Sequence, residues 1–141
     1  MIATCEEFEI STRGHTDIHD VTERVVAAVA RVGLAEGLAT VFTPGATASA
    51  TAIEFESGAV ADLRRAVERL APEDRHYDHD TRWGDGNGFS HVRSALVGPS
   101  LAVPVHGGQL VLGTWQQIVV LCHDNRPRQR RVVVQLLGTG R

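Results

Sequence analysis

The chain has 141 residues, of which 43% are hydrophobic and 22% charged, with a formal net charge of -3. That length suits one domain spanning residues 1–141, with a core that needs neither disulfide nor metal staples. The weakly acidic balance excludes a general nucleic-acid binder, which requires a basic stripe to neutralise phosphates.

Along the chain, Glu6–Ser11 alternates loosely and reads as a first strand, closed by the turn Thr12-Arg13-Gly14. Asp20 and Glu23 resemble a capping box, and Val21, Val25, Val29 and Val32 recur at helical spacing. They predict an amphipathic helix over Asp20–Glu36 that stops near Gly37. Leu38–Thr43 reads as a buried strand before Pro44-Gly45, and Thr47–Glu56 as a strand ending in acidic residues. Ser57 is placed to cap a second helix with a stripe of Val60, Leu63, Val67 and Leu70, ended by Ala71-Pro72. From Glu73 to Ser90 apolar periodicity vanishes while His, Asp, Gly and Asn accumulate, and Ser90–Val97 regains helical character. Leu101–Val105, the turn Gly107-Gly108 and Gln109–Leu112 predict a hairpin; Trp115–Cys122 and Arg130–Leu137 are two further β runs. The pattern predicts an α+β fold, mostly antiparallel β-sheet packed with two main helices. Its apolar C-terminal strands leave edges that a symmetric oligomer would cover.

Residue chemistry narrows the function classes. All 14 basic residues are arginine, which removes lysine Schiff-base chemistry and a phosphate-loop lysine. An anion held by side-chain charge is therefore held by guanidinium, whose planar fork grips phosphate bidentately. Cys5 and Cys122 form no CxxC pattern and read as unreactive thiols in a reducing cytoplasm. The start, Met1–Glu7, shows no leader pattern, and no run approaches the roughly twenty apolar residues of a membrane helix. A cytoplasmic protein without membrane or nucleic-acid partners is expected.

The densest chemical constellation runs from His79 to Arg93. Gly84, Gly86 and Gly88 let backbone approach a ligand, and a helix opening at Ser90 would aim its N–H groups at an anion. His91 and Arg93 lie in its first turn, so a phosphate or carboxylate would meet backbone and side-chain donors together; a glycine-rich surface turn is the competing reading. His79 and His91, twelve residues apart, are not a metal-ligand spacing. A divalent metal would need Glu54, Asp85 or a neighbouring subunit as well, and the cofactor stays open. Glu54 and Glu56 share a strand face and suit acid–base work or a solvated strand end. Arg126, Arg128, Arg130 and Arg131 form an anion clamp or a protected edge. Trp115 with Gln116 offers an aromatic plane beside an amide.

Several stretches together resemble the YjbQ-like family. They are Val41-Phe42-Thr43-Pro44, Thr47 to Glu56, Asp85-Gly86-Asn87-Gly88, Ser90 to Leu96, Gly98 to Leu101, Leu112 to Ile118 and Arg126-Pro127-Arg128. The resemblance implies an α+β homotrimer with sites near subunit contacts. It also implies weak thiamine-phosphate synthase activity, a transferase reaction joining a pyrimidine methyl diphosphate to a thiazole phosphate and releasing pyrophosphate. On that reading His91, Glu54 and Asp85 carry the chemistry. A small phosphorylated or anionic ligand is held by His79, Asn87, Gly88, Ser90, Arg93, Trp115, Gln116, Arg126 and Arg128. The chain departs from the family where relatives often have histidine, at Gly45 and Phe89. Those departures leave open a non-catalytic binding protein or a structural trimer with a degraded site.

Overall fold

The computed structural model describes residues 1–141. The strands are β1 (Ile2–Thr12), β2 (Asp17–Asp20), β3 (Leu34–Phe42), β4 (Ala48–Ile53), β5 (Ser100–His106), β6 (Gln109–Leu110), β7 (Gln117–Cys122) and β8 (Arg128–Gly140). The helices are α1 (Thr22–Val32), α2 (Ser57–Leu70), α3 (Asp78–Trp83) and α4 (Gly88–Val97). Five strands form one sheet in the order β1-β8-β3-β5-β6, and three form a second, β2-β7-β4. Every pairing is antiparallel, the α+β arrangement that the consecutive C-terminal β runs predict.

Period-two alternation places Val132, Val134 and Leu136 of β8 and Ala39 and Val41 of β3 on one inner face, where all five are buried. Val25, Ala28 and Val29 of α1 join them, as do Ala50 of β4 and Ile118 and Val120 of β7. The central strand β7 is buried on both faces. Its alternate residues Val119 and Leu121 turn outward to meet Ile18, with Val60 and Leu63 of α2 and Val97 of α4 packed against them. The molecule is thus layered: five-stranded sheet, three-stranded sheet, then α2 and α4.

Boundaries differ from the sequence expectation where a local signal outranks periodicity. α1 stops at Val32 instead of Glu36, because Gly33 takes the left-handed conformation (φ 68°) and ends the helix. The chain then enters β3 at Leu34. Asp20 accepts hydrogen bonds from the backbone N–H and hydroxyl of Thr22, but Glu23 does not complete a capping box. Glu56, not Ser57, caps α2, accepting from the N–H groups of Gly58 and Ala59. It has left the strand, so Glu54 and Glu56 do not share a strand face. Helix α4 opens at Gly88, two residues before Ser90. β2 and α3 are too short and too polar for periodicity to reveal.

One close approach fixes the five-stranded register. Gly37 of β3 faces Gly138 of β8, and a Cβ on either would come 2.0 Å from a carbonyl oxygen of the other strand. Only glycine lets the two backbones lie that near.

Candidate functional site

Four chain segments meet at one end of the three-stranded sheet. The turn after β3 brings Ala46 and Thr47, α3 and the following turn bring His79, Asp85 and Asn87, α4 brings His91, and the β7–β8 connection with the start of β8 brings Asp124, Arg128 and Arg130. Together with Trp83 they enclose an open cavity of about 450 Å³. Backbone bonds pin the junction: His123 N–H donates to Thr47 O (2.8 Å), and His15 N–H to Asp124 O (2.7 Å).

Asp124 organises the cavity floor. Its Oδ2 accepts from Thr47 Oγ1 (3.2 Å) and Arg128 Nε (2.9 Å), and its Oδ1 accepts from Asn87 Nδ2 (3.2 Å). Burial works against the charged form of Asp124, but the Asn125 N–H, the Asn87 amide and Arg128 outweigh it, so its pKa lies below the usual carboxylate value. Arg130 is nearly buried and donates to Thr47 Oγ1 (2.5 Å) and to Cys122 Sγ (3.2 and 3.3 Å). Arg128 lines the cavity, uses only its Nε on Asp124 and has a side chain 37% exposed, so the other N–H groups of its guanidinium have no protein partner.

Facing these arginines, the rings of His79 and His91 stand 4.2 Å apart. The pKa of His91 is lowered, first by burial and then by His79, against the opposing pull of Asp85 and Asp124. The ring is therefore neutral near pH 7 and available to accept a proton. His79 Nδ1 lies 3.5 Å from both Asp80 Oδ1 and Asp85 Oδ1, and the three ligand atoms lie within 4.8 Å of one another. A metal, if bound in this cavity, would be held by these three.

Of the sequence-predicted residues, the cavity gathers His91, Asp85, His79, Asn87 and Arg128. Gly88 and Ser90 stand behind them. Gly88 has no room for a side chain, since a Cβ would meet Tyr77 Cβ at 2.5 Å. The Gly88 N–H is already taken by Asp80 Oδ1 (2.8 Å), so the helix start serves an internal carboxylate and not a free anion. The Ser90 hydroxyl donates to Asn87 O (2.5 Å).

Arg93 lies outside the cavity. Two residues from His91, it sits on the far face of α4, fully buried, where its Nε donates to Ala71 O (3.0 Å), its Nη1 to Thr16 Oγ1 (3.0 Å) and its Nη2 to Glu68. It floors a second cavity of about 420 Å³ with His15, Arg64 and Arg65. Arg126 is exposed on the β7–β8 turn and also lies outside. Glu54, Trp115 and Gln116 are at the opposite end of the small sheet. Ala48 pairs with Cys122 beside the cavity while Ile53, the last residue of β4, pairs with Gln117, so Glu54 just past the strand's end is about 20 Å from Ala48 at the usual rise of about 3.3 Å per residue. Trp115 is 72% exposed there, and Gln116 Oε1 accepts from the Gly113 N–H.

The sequence reading left Asp124 and Thr47 out of the site and gave Arg130 only a share in an anion clamp or a protected edge, without placing it in this cavity. Arg130 carried a usable signal, because alternation with Val132, Val134 and Leu136 puts a guanidinium on the core face, where it needs partners. The two departures also have a place. Arg130 Nη1 lies 3.2 Å from where a Cβ on Gly45 would stand. Phe89 is buried under the Arg93 guanidinium (4.8 Å), away from the cavity.

A model of the UPF0047 protein YjbQ-like family matches residues 6–139. The chain belongs to the YjbQ-like family. Among its YjbQ-like relatives, a UPF0047 protein of Archaeoglobus fulgidus is 37% identical over 131 residues, covering 93% of this chain and 99% of the relative. UPF0047 protein YugU of Bacillus subtilis is 32% identical over 131 residues, covering 92% and 96%. The crystal structure of a YbjQ-like protein of unknown function from Sulfolobus solfataricus superposes with a TM-score of 0.92 at 27% identity, covering 98% of this chain and 99% of that one. A YjbQ/UPF0047 protein of Clostridium acetobutylicum superposes with a TM-score of 0.84 at 30% identity, covering 93% and 99%. The YjbQ-like fold therefore carries the cavity. No helix is long and apolar enough to cross a membrane.

Proposed function

We propose that this cavity binds a small phosphorylated or similarly anionic molecule, and that the protein is a YjbQ-like transferase acting on it. One observation carries the reading: the open edge of Arg128 and a neutral His91 face the same 450 Å³ space. In a chain without lysine, Arg128 is the cavity's accessible phosphate grip, and the adjacent imidazole is its acid–base group. Thiamine phosphate formation is the named candidate. In it the thiazole nitrogen forms a C–N bond to the pyrimidine methylene carbon, the C–O bond to the diphosphate breaks, and pyrophosphate leaves with the electron pair. On this reading Arg128 and Arg130 would supply the fixed positive charge that the departing diphosphate needs.

A second reading, non-catalytic retention of such a ligand, is favoured by one feature. Phe89 and Gly45 supply no imidazole to the cavity, which leaves His79 and His91 as its only two. His91→Ala separates the readings. Under the transferase reading it lowers turnover by about 100-fold or more and leaves thermal stability nearly unchanged. Ligand-dependent thermal stabilisation with no product from any substrate pair selects the second. Loss of folding in His91→Ala contradicts both, because His91 would then be structural.

The proposal includes a homotrimer. It is supported by the outer face of the five-stranded sheet, where Leu38 (43%), Phe42 (41%) and Leu137 (49%) are exposed and Leu38 and Leu137 are cross-strand partners.

A further inference from the structure

We propose that His79, Asp80 and Asp85 form a divalent-cation site on the wall of the cavity that Asn87 and His91 also line. The spacing is the first argument. His79 Nδ1 lies 3.5 Å from Asp80 Oδ1 and 3.5 Å from Asp85 Oδ1. That is long for an N–H···O hydrogen bond, which is about 2.7–3.2 Å. It is close to the separation of neighbouring donors around one ion, about 3.0–3.4 Å when each bond is about 2.0–2.2 Å.

Charge is the second argument. Two carboxylates converge on one imidazole, and no arginine pairs with either of them. Asp124 and Asp17, by contrast, are each paired with a guanidinium, Arg128 and Arg13. A dication supplies the missing positive charge.

The third argument is an orphan acceptor. Asn87 is 7% exposed, and its Oδ1 is the one buried side-chain polar atom in the molecule without a hydrogen-bond partner. The amide cannot turn round to relieve this, because its Nδ2 donates to the Asp124 carboxylate, which accepts only. Asn87 lines the same cavity, and an unpartnered carbonyl oxygen on it calls for a cation, or for a donor on a ligand or on ion-bound water. One imidazole with carboxylate and carbonyl oxygens suits a first-row dication such as Mn²⁺ or Zn²⁺.

The site goes beyond the anion reading and does not rest on it. A cation held by these residues would share the cavity that Arg128 lines and would supply further positive charge to an anion bound there.

Calorimetric titration of chelator-treated, tag-free protein with Mn²⁺ and with Zn²⁺, without phosphate, tests it. One saturable site per chain is expected for at least one of the two ions. Asp85→Asn and His79→Gln should each weaken it at least tenfold, the lower end of what even an outer-shell change costs a metal site. Asp85→Asn should leave the melting temperature of the metal-free protein unchanged, since the Asp85 carboxylate contacts only His79 and its backbone oxygen still accepts from Asn125. Absence of a saturable site, or unchanged affinity in either variant, overturns the proposal. Failure of phosphate or pyrophosphate to bind would remove the anion reading and leave this one standing.

Discussion

His123 sits with no solvent access between two hydroxyls, its Nδ1 2.8 Å from Thr16 Oγ1 and its Nε2 2.6 Å from Ser49 Oγ. Burial, then the charges of Arg93 and Arg130, pushes its pKa down to about 3. Below about pH 6.5 the unfolded chain takes up a proton that the folded chain refuses, so stability falls as pH drops towards 3. At about 1.4 kcal/mol per pH unit, this residue alone makes the fold about 3 kcal/mol less stable at pH 4.5 than at pH 7. His91 adds to the loss with the same sign. Urea midpoints at the two pH values should show the drop, and His123→Gln should flatten it; equal midpoints in the wild-type protein would contradict the assignment. Residue chemistry was partly legible in the sequence. His79, Asp85, Asn87 and His91 announce themselves by crowding within one irregular stretch. Asp124 and Thr47 do not, because their role comes from neighbours brought by the fold from distant segments. Arg93 misleads, because helical geometry turns it about 200° from His91 at about 100° per residue.

At the scale of elements, the cavity depends on how α3 nests against the start of α4. Tyr77 is held by its hydroxyl on Pro72 O (2.7 Å), and its Cβ would lie 2.5 Å from a Cβ on Gly88. Gly88→Ala therefore forces the two helices apart. It should cost about 1–3 kcal/mol in chemical denaturation and abolish ligand-dependent stabilisation; unaltered stability would show that α3 yields freely. The long strands and α1 and α2 were legible because each has an apolar stripe that periodicity exposes, although in α2 only Val67 is buried, Val60 and Leu63 are partly so, and Leu70 of the predicted stripe is exposed. α3 was not, since Asp78–Trp83 has no buried residue and owes its place to Asp80 and Tyr77. The wrong end of α1 has a simple cause: Gly33 breaks the helix before the valine pattern is exhausted.

At the scale of the whole molecule, the outer face of the five-stranded sheet exposes Leu38, Phe42 and Leu137 to solvent. On the proposed trimer reading, Leu38→Glu together with Leu137→Glu should shift the protein from trimer to monomer in light scattering, because paired carboxylates at adjacent cross-strand positions oppose apolar burial. An unchanged trimer would place the subunit contact elsewhere. Glu54, Trp115 and Gln116 lie at the far end of the small sheet, so within one chain they contribute nothing to the cavity described. Sequence resemblance groups them with the site because it follows chain order, not distance.

Central to the account is an anion gripped by Arg128, and pyrophosphate titration of the wild-type protein and Arg128→Gln tests it most directly. Calorimetry should be run both in chelator-treated buffer and with Mg²⁺. Saturable binding at one site per chain is expected, weakened roughly tenfold or more in Arg128→Gln, as loss of a charge-assisted hydrogen bond worth about 1.5–3 kcal/mol requires. No saturable binding in either buffer, or equal affinity in the two proteins, would contradict it.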